Sequence, residues 1–200
     1  GLGKGQAFDV GSPSATLLGA LSRANYAPRA GMKALVPGCG RAYDALALAE
    51  HGFDEVVAID LSSTACEAAR NELATSRNPK AASKVAVQCA DFFAYEGAFD
   101  LIWDATFLCA LDPSVRAQWA CQHRSLLAPG GRLVTCIFPI VEKEGGPPFA
   151  MSVALLKALL EPAFECVELR EKLDESEQHK PGGFNRQGPV TALAIWAVAT

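Results

Sequence analysis

Gly38, Cys39 and Gly40 stand at the tip of the apolar run "ALVP", and an alanine- and leucine-rich helical pattern starts directly behind them. Glycines at that position let a ligand approach the backbone, and the following helix offers the positive end of its dipole. The alternative is a tight turn that holds nothing. Asp60, 22 residues after Gly38, closes the run "VVAID". A carboxylate there suits the two hydroxyls of an adenosine ribose, or caps the helix that follows. Asp91 and Phe92 close a third run, where an acid can take an adenine amino group and an apolar neighbour can cover the ring. The nicotinamide fingerprint needs a third glycine at position 43, where this chain has Tyr43.

These residues need strands to carry them. Met32–Val36, "EVVAIDLS", "KVAVQCADFF", "AFDLIWDAT" and "RLVTCIFPI" read as buried strands. Helical patterns run from Pro13 to about Arg23, from Ala42 to Glu50 with a stop at His51-Gly52, and from Thr64 to about Ser76. Further ones cover Ser114 to Leu127 and Ser152 to Leu160. Thr64 and Glu67 have capping-box spacing, and Pro129-Gly130-Gly131 reads as a turn into the fifth strand. Alternating strands and helices predict an α/β fold with a mostly parallel sheet and helices on both faces. "FECVELRE" and "VTALAIWAVA", separated by the polar stretch Lys172 to Gly188, predict a closing antiparallel hairpin.

Two hundred residues, half of them hydrophobic and a fifth charged, predict a single globular domain. A net charge of −4 without a basic stripe argues against nucleic acid, and no apolar run has membrane-spanning length. Seven scattered cysteines without a C-x-x-C pair read as reduced thiols in a cytoplasmic setting. No metal-ligand spacing is visible, and His51, His123 and His179 read as surface residues. A start at Gly1 reads as a processed, tagged or partial chain. Cys39 reads as a small residue in a crowded turn and Arg116 as a solvated helix residue.

"LVPGCGRAYDALALA", "AIDLS", "ADFF", "FDLIWDATFLCALDP" and "LLAPGGRLV" resemble, in that order, the class I S-adenosylmethionine-dependent methyltransferases. "VPGCG…YD", "DLIWDATFLCAL" and "FPI…EGGPPF" narrow the resemblance to the thiol and halide methyltransferases of the thiopurine S-methyltransferase family. The resemblance implies a Rossmann-like, seven-stranded domain that binds S-adenosylmethionine. It implies Gly38, Cys39 and Gly40 at the methionine part, Asp60 and Leu61 at the ribose, and Asp91 and Phe92 at the adenine. Asp104 and Ala105 fall on the sulfonium side, and Phe8-Asp9 covers the cofactor where relatives have Trp-Asp. Residues 1–12 are then a lid, 13–140 the cofactor-binding core and 141–200 the acceptor side. Ala105 and Phe138 stand where relatives carry tyrosine, and the tryptophans upstream of Phe8 are missing.

The implied acceptor is a small-molecule nucleophile: a thiol, bisulfide or halide. Such an acceptor calls for a small aromatic pocket, for which Trp103, Phe107, Phe138 and Phe149 are candidates, each also readable as core. Asp104, Phe138 and Phe149 are the expected catalytic residues, in a monomer without a metal. An oxygen or nitrogen acceptor, a bulkier thiol, or a catalytically silent cofactor binder remain open alternatives.

Overall fold

A computed structural model of the chain describes residues 3–6, 8–23, 28–180 and 191–199. Seven strands form one sheet: β1 (Lys33–Pro37), β2 (Glu55–Asp60), β3 (Val85–Cys89), β4 (Phe99–Ala105), β5 (Leu127–Ile137), β6 (Phe164–Arg170) and β7 (Ala192–Val198). Their spatial order is β3-β2-β1-β4-β5-β7-β6. β1 to β5 pair in parallel, and β7 runs antiparallel to both β5 and β6, so the closing hairpin forms as expected. β1 lies between β2 and β4, so the winding reverses at its carboxyl end, where open α/β sheets hold their ligands.

The pleat divides the core into two faces. Ala34, Val36, Leu101, Trp103, Val134 and Cys136 pack with α1 (Ala15–Leu21), α2 (Tyr43–His51) and Ala69 of α3 (Ser63–Ala74). Leu35, Ile102, Leu133 and Ile137 pack on the opposite side with α5 (Arg116–Leu126) and α6 (Val153–Leu160). Between α3 and β3 lies the short α4 (Pro79–Ala82), led by the Asn78 cap. Among the described residues no helix is long and apolar enough to cross a membrane.

Local chemistry places the boundaries. Gly52, at φ 118°, ends α2 with its N–H on the carbonyls of Leu48 and Ala49, the stop expected at His51-Gly52. The start of α3 differs from the Thr64 capping box: Ser62 is the cap, its hydroxyl accepting from the Ala65 N–H at 3.3 Å. Pro129-Gly130-Gly131 is also a different feature from the expected turn. Phe99 pairs with Leu127 and Leu101 with Arg132, so these residues bulge out within β5. The part of the polar stretch at 181–188 and the start of "VTALAIWAVA" at Val190 lie outside the described residues.

Candidate active site

The chain leaves β1 through a turn in which three amides are committed internally. The Cys39 N–H donates to Ile59 O at 3.0 Å, Gly40 N–H to the Asp60 Oδ2 at 3.0 Å, and Ala42 N–H to Cys39 O at 2.8 Å. Gly38 and Gly40 have φ of 60° and 53°, in the left-handed region. A Cβ on Gly38 would lie 2.5 Å from the Phe107 ring, whereas one on Gly40 would meet nothing within 4 Å. Gly38 therefore serves close packing, and Gly40 leaves a face of the turn open.

Above this turn is a cavity of about 550 Å³. Val36 and Gly38 to Arg41 form its floor, Ser62, Thr64, Ala65 and Ala68 one wall, and Ala105, Thr106 and His179 another. Phe8, Asp9, Val10, Ser12 and Ser14 cross its top. Two ion pairs tether this upper segment: Asp9 Oδ2 accepts from Arg41 Nε at 2.7 Å, and Lys4 reaches Glu72 at 2.7 Å. Asp9 also accepts from the Gly11 N–H at 2.7 Å. Phe8 remains 49% exposed, so half of its ring is available to a ligand.

Asp44 is a site residue that the sequence reading did not single out. Its carboxylate accepts from the Ser14 N–H at 2.7 Å and from Trp103 Nε1 at 2.7 Å, joining the covering segment, α2 and β4. Burial pushes its pKa up, against the pull of those two donors. The Tyr43-Asp44 pair was visible in the sequence, but contacts to residues so far along the chain were not.

Asp60 does not itself line the cavity; it is bonded to two residues that do, Gly40 and Ser62. Its Oδ1 accepts from the Ser62 N–H at 2.9 Å while Oδ2 holds Gly40. Because Ser62 caps α3, the helix-cap alternative for Asp60 falls away. Leu61 projects outward at 76% exposure. Asp91 is exposed and turns its Oδ1 to the Phe93 N–H at 2.9 Å, and neither it nor Leu61 lines the cavity. Phe92 is in the core, edge-on to Phe107 at 5.1 Å and against His123 at 4.9 Å. Burial, with the Asp60 charge next in weight, pushes the Cys39 thiol far up, so it is an inert wall residue.

Asp104 meets a different geometry from the expected one. It points to the α5 face, where its Oδ2 accepts from Trp119 Nε1 at 2.8 Å and lies 3.2 Å from His123 Nε2. Its Oδ1 accepts from the Leu108 N–H at 3.3 Å. The carboxylate is thus consumed inside the protein, and its neighbour Ala105 supplies the cavity wall. The aromatic candidates also lie elsewhere. Trp103 and Phe138 are buried, and Phe138 stands edge-on to His179 at 4.7 Å. Phe149 has its N–H on Cys109 O at 2.7 Å and its ring near Arg116, at 5.8 Å, within the cluster on the α5 face. The histidine reading is corrected too: His123 is fully buried and His179 is 6% exposed. Nothing in "ESEQHKPGG" marked His179 as a wall residue.

This sheet order, with a cavity over the carboxyl end of β1, is the class I methyltransferase fold. A TehB-like SAM-dependent methyltransferase from Corynebacterium glutamicum superposes with a TM-score of 0.63 at 21% identity, covering 92% of this chain and 86% of that one. The family model for thiopurine S-methyltransferase (TPMT) matches residues 6–191, and the chain belongs to that family. A probable thiol methyltransferase 2 of Arabidopsis thaliana is 44% identical over 140 residues, 68% of this chain and 60% of the relative. A thiopurine S-methyltransferase of Pseudomonas fluorescens (strain SBW25) is 38% identical over 172 residues, 77% of each chain. The chain spans about three fifths of the length of the plant relatives it matches.

Proposed function

We propose that this protein transfers the methyl group of S-adenosylmethionine to a small nucleophile, a thiol, bisulfide or halide. The observation that carries the reading is the cavity over the reversal point, floored by a glycine turn whose Cys39 and Gly40 amides are already spent. A dinucleotide pyrophosphate needs free loop amides and a tolerant charge environment. Here the Cys39 and Gly40 amides are taken, Asp9 offsets the Arg41 charge beside it, and the Asp44 carboxylate faces the same space. That environment fits a cationic ligand. The cofactor supplies a methyl group made electrophilic by its positively charged sulfur.

Around it, the chain binds and excludes water. The open face at Gly40 receives the methionine end, next to Cys39. Asp60, with a lone pair spare on each oxygen, accepts from the ribose hydroxyls beside Leu61. Asp91 and Phe92 lie at the carboxyl end of β3, on the adenine side. Ala105, Thr106 and His179 bound the acceptor end, and their small or neutral side chains suit a compact nucleophile. Displacement at a methyl carbon calls for alignment and loss of the nucleophile's water rather than for a metal.

Calorimetric titration should give tight binding of S-adenosylhomocysteine and weak or no binding of NAD. Labelled-methyl assays over iodide, bisulfide, thiocyanate and aromatic thiols should find at least one turned over. Tighter binding of NAD than of S-adenosylhomocysteine, or no turnover with any acceptor, would sink the proposal.

The covering segment is the lid in this scheme. Half of the Phe8 ring is left to bury when ligand enters, so Phe8→Ala should weaken S-adenosylhomocysteine binding by about 1–2 kcal/mol. Turnover should also fall, because a wetter site solvates the attacking anion. Hydrogen exchange of residues 3–12 decides the point: added protection on binding is expected, and equal exchange in both states rules the lid out.

A further inference from the structure

Gly19 stands inside α1, where glycine weakens a helix relative to alanine. A Cβ there would lie 2.2 Å from Glu177 Oε1 and 2.7 Å from its Cγ, so the glycine makes room for that side chain. Glu177 joins separate parts of the fold. Its carboxylate accepts from Nη1 and Nη2 of Arg170, at the end of β6, at 2.9 and 2.7 Å. It also accepts from Nη1 of Arg23, just beyond α1, at 3.1 Å, and its carbonyl accepts from the Thr16 hydroxyl of α1 at 2.6 Å. The forked bond to Arg170 holds the Glu177 carboxyl below its usual range, so it is ionised near pH 7. None of these residues lines the cavity, yet the junction leads to it on both sides. Ser14, at the start of α1, is a cavity residue with its N–H on Asp44. Two residues past Glu177, His179 contributes to the wall beside Ala105 and Thr106. Between them the buried Gln178 donates to Leu173 O at 2.9 Å, and the His179 N–H donates to Thr191 Oγ1 at 3.1 Å.

We propose that Glu177 is a positioning residue for the acceptor: its bonds to α1, Arg23 and β6 fix the backbone at 177–179 and so the shape of the acceptor end of the cavity. The proposal rests on the methyl-transfer reading above and concerns how that site holds its nucleophile. Glu177 touches neither cofactor nor acceptor. It holds the His179 side of the wall at a set distance from Ala105 and Thr106, and that distance decides how closely a nucleophile is confined. Ala105 and Thr106 carry no charge, and burial pulls His179 down to about 4, so this wall is neutral near pH 7. A compact nucleophile is therefore held there by confinement rather than by an ion pair, and confinement is lost when the wall shifts. The cofactor end rests on Cys39, Gly40 and Asp60, which share no bond with the junction. The Glu177 side chain is only 14% exposed, which sets its pairs apart from surface ion pairs of little consequence.

The test compares the native protein with Glu177→Gln and Gly19→Ala. Glutamine keeps the size of the side chain and gives up the charge that pairs both arginines. Alanine at position 19 pushes Glu177 off its seat from the opposite side, while by itself favouring the helix. Thermal melting and S-adenosylhomocysteine titration first establish that each variant is folded and loaded. Initial rates are then measured on iodide, bisulfide, thiocyanate and thiophenol. For the acceptors that the native protein turns over, KM should rise about tenfold in both variants, within the hundredfold that a misplacement of about 1 Å can cost. Affinity for S-adenosylhomocysteine should stay within about twofold, as expected of sites that share no partner. A role confined to stability would instead make the losses follow the melting temperature and fall on cofactor and acceptor alike. An unchanged acceptor KM in folded variants, or an equal loss for acceptor and S-adenosylhomocysteine, overturns the role of Glu177 and leaves methyl transfer standing. If Glu177→Gln does not fold, Gly19→Ala decides by the same criteria. Failure of both to fold also overturns the proposal, because the junction would then serve the fold rather than the acceptor. A native protein that methylates none of the four acceptors overturns both readings together.

Discussion

Asp60→Ala is expected to weaken S-adenosylhomocysteine binding by about 2–4 kcal/mol, roughly 30- to 1,000-fold, the range for charge-assisted hydrogen bonds that leave buried partners unpaired. Asp60 acts on both sides of the rim. Toward the protein it holds Gly40 and Ser62 by their N–H groups, at 3.0 and 2.9 Å. Toward the ligand, one lone pair on each oxygen remains for a ribose hydroxyl. Alanine removes both functions, so the glycine turn loosens as the ribose loses its acceptor. Stability without ligand should change by only about 1–2 kcal/mol, because Gly40 and Ser62 sit at the rim and water can take their amides. Asp60→Asn should be little better, since its NH₂ group would face a backbone donor. Calorimetry and thermal melting check both. A large drop in melting temperature with unchanged affinity would return Asp60 to a purely structural role.

The difference between Asp60 and Asp104 explains what the sequence carried and what it withheld. Strand ends were legible, because parallel strands are bounded by glycine, proline and acidic residues, and five of the seven strands follow from that alone; β3, however, is an edge strand with no buried residue and not the buried strand expected of it. The side on which each strand-end residue points was not legible. A strand buried on both faces has no polar–apolar alternation to set the phase. In "DLIWDA" the pleat sends Trp103 and Ala105 to the α2 face and Asp104 to the α5 face, and the cavity opens where Ala105 is. A shift of one residue thus separates a wall residue from an internal acceptor. His179 illustrates the second limit. It sits in a polar stretch with no periodicity, and only the β6–β7 hairpin brings that stretch back over β4 and β5. The Asp44 bonds to Ser14 and Trp103 are of the same kind, since they join segments that the sequence keeps apart.

Asp104→Ala should lower stability by about 3–5 kcal/mol, the usual range when one member of a buried polar cluster is removed. Asp104 is 3% exposed, and Trp119 and His123 are fully buried. A carboxylate only accepts, so in this pairing the proton lies on His123 Nε2, and the three donors Trp119 Nε1, His123 Nε2 and Leu108 N–H converge on one side chain. Alanine leaves all three without an acceptor in a region closed to water. For a chain of this size, each kcal/mol shifts the melting midpoint by about 2–4 °C, so a fall of roughly 10 °C is expected. The Leu108 bond also pins the turn after β4, where Thr106 adopts φ 60° and lines the cavity. Some loss of acceptor binding should therefore accompany the loss of stability. The fraction that remains folded should still bind S-adenosylhomocysteine within about tenfold of the native protein, about 1.4 kcal/mol. Melting curves and titration at 10 °C distinguish this from a role at the reacting atoms. Turnover abolished in a variant with an unchanged melting temperature would mean that Asp104 acts on the substrate and that its bonds to Trp119 and His123 are incidental.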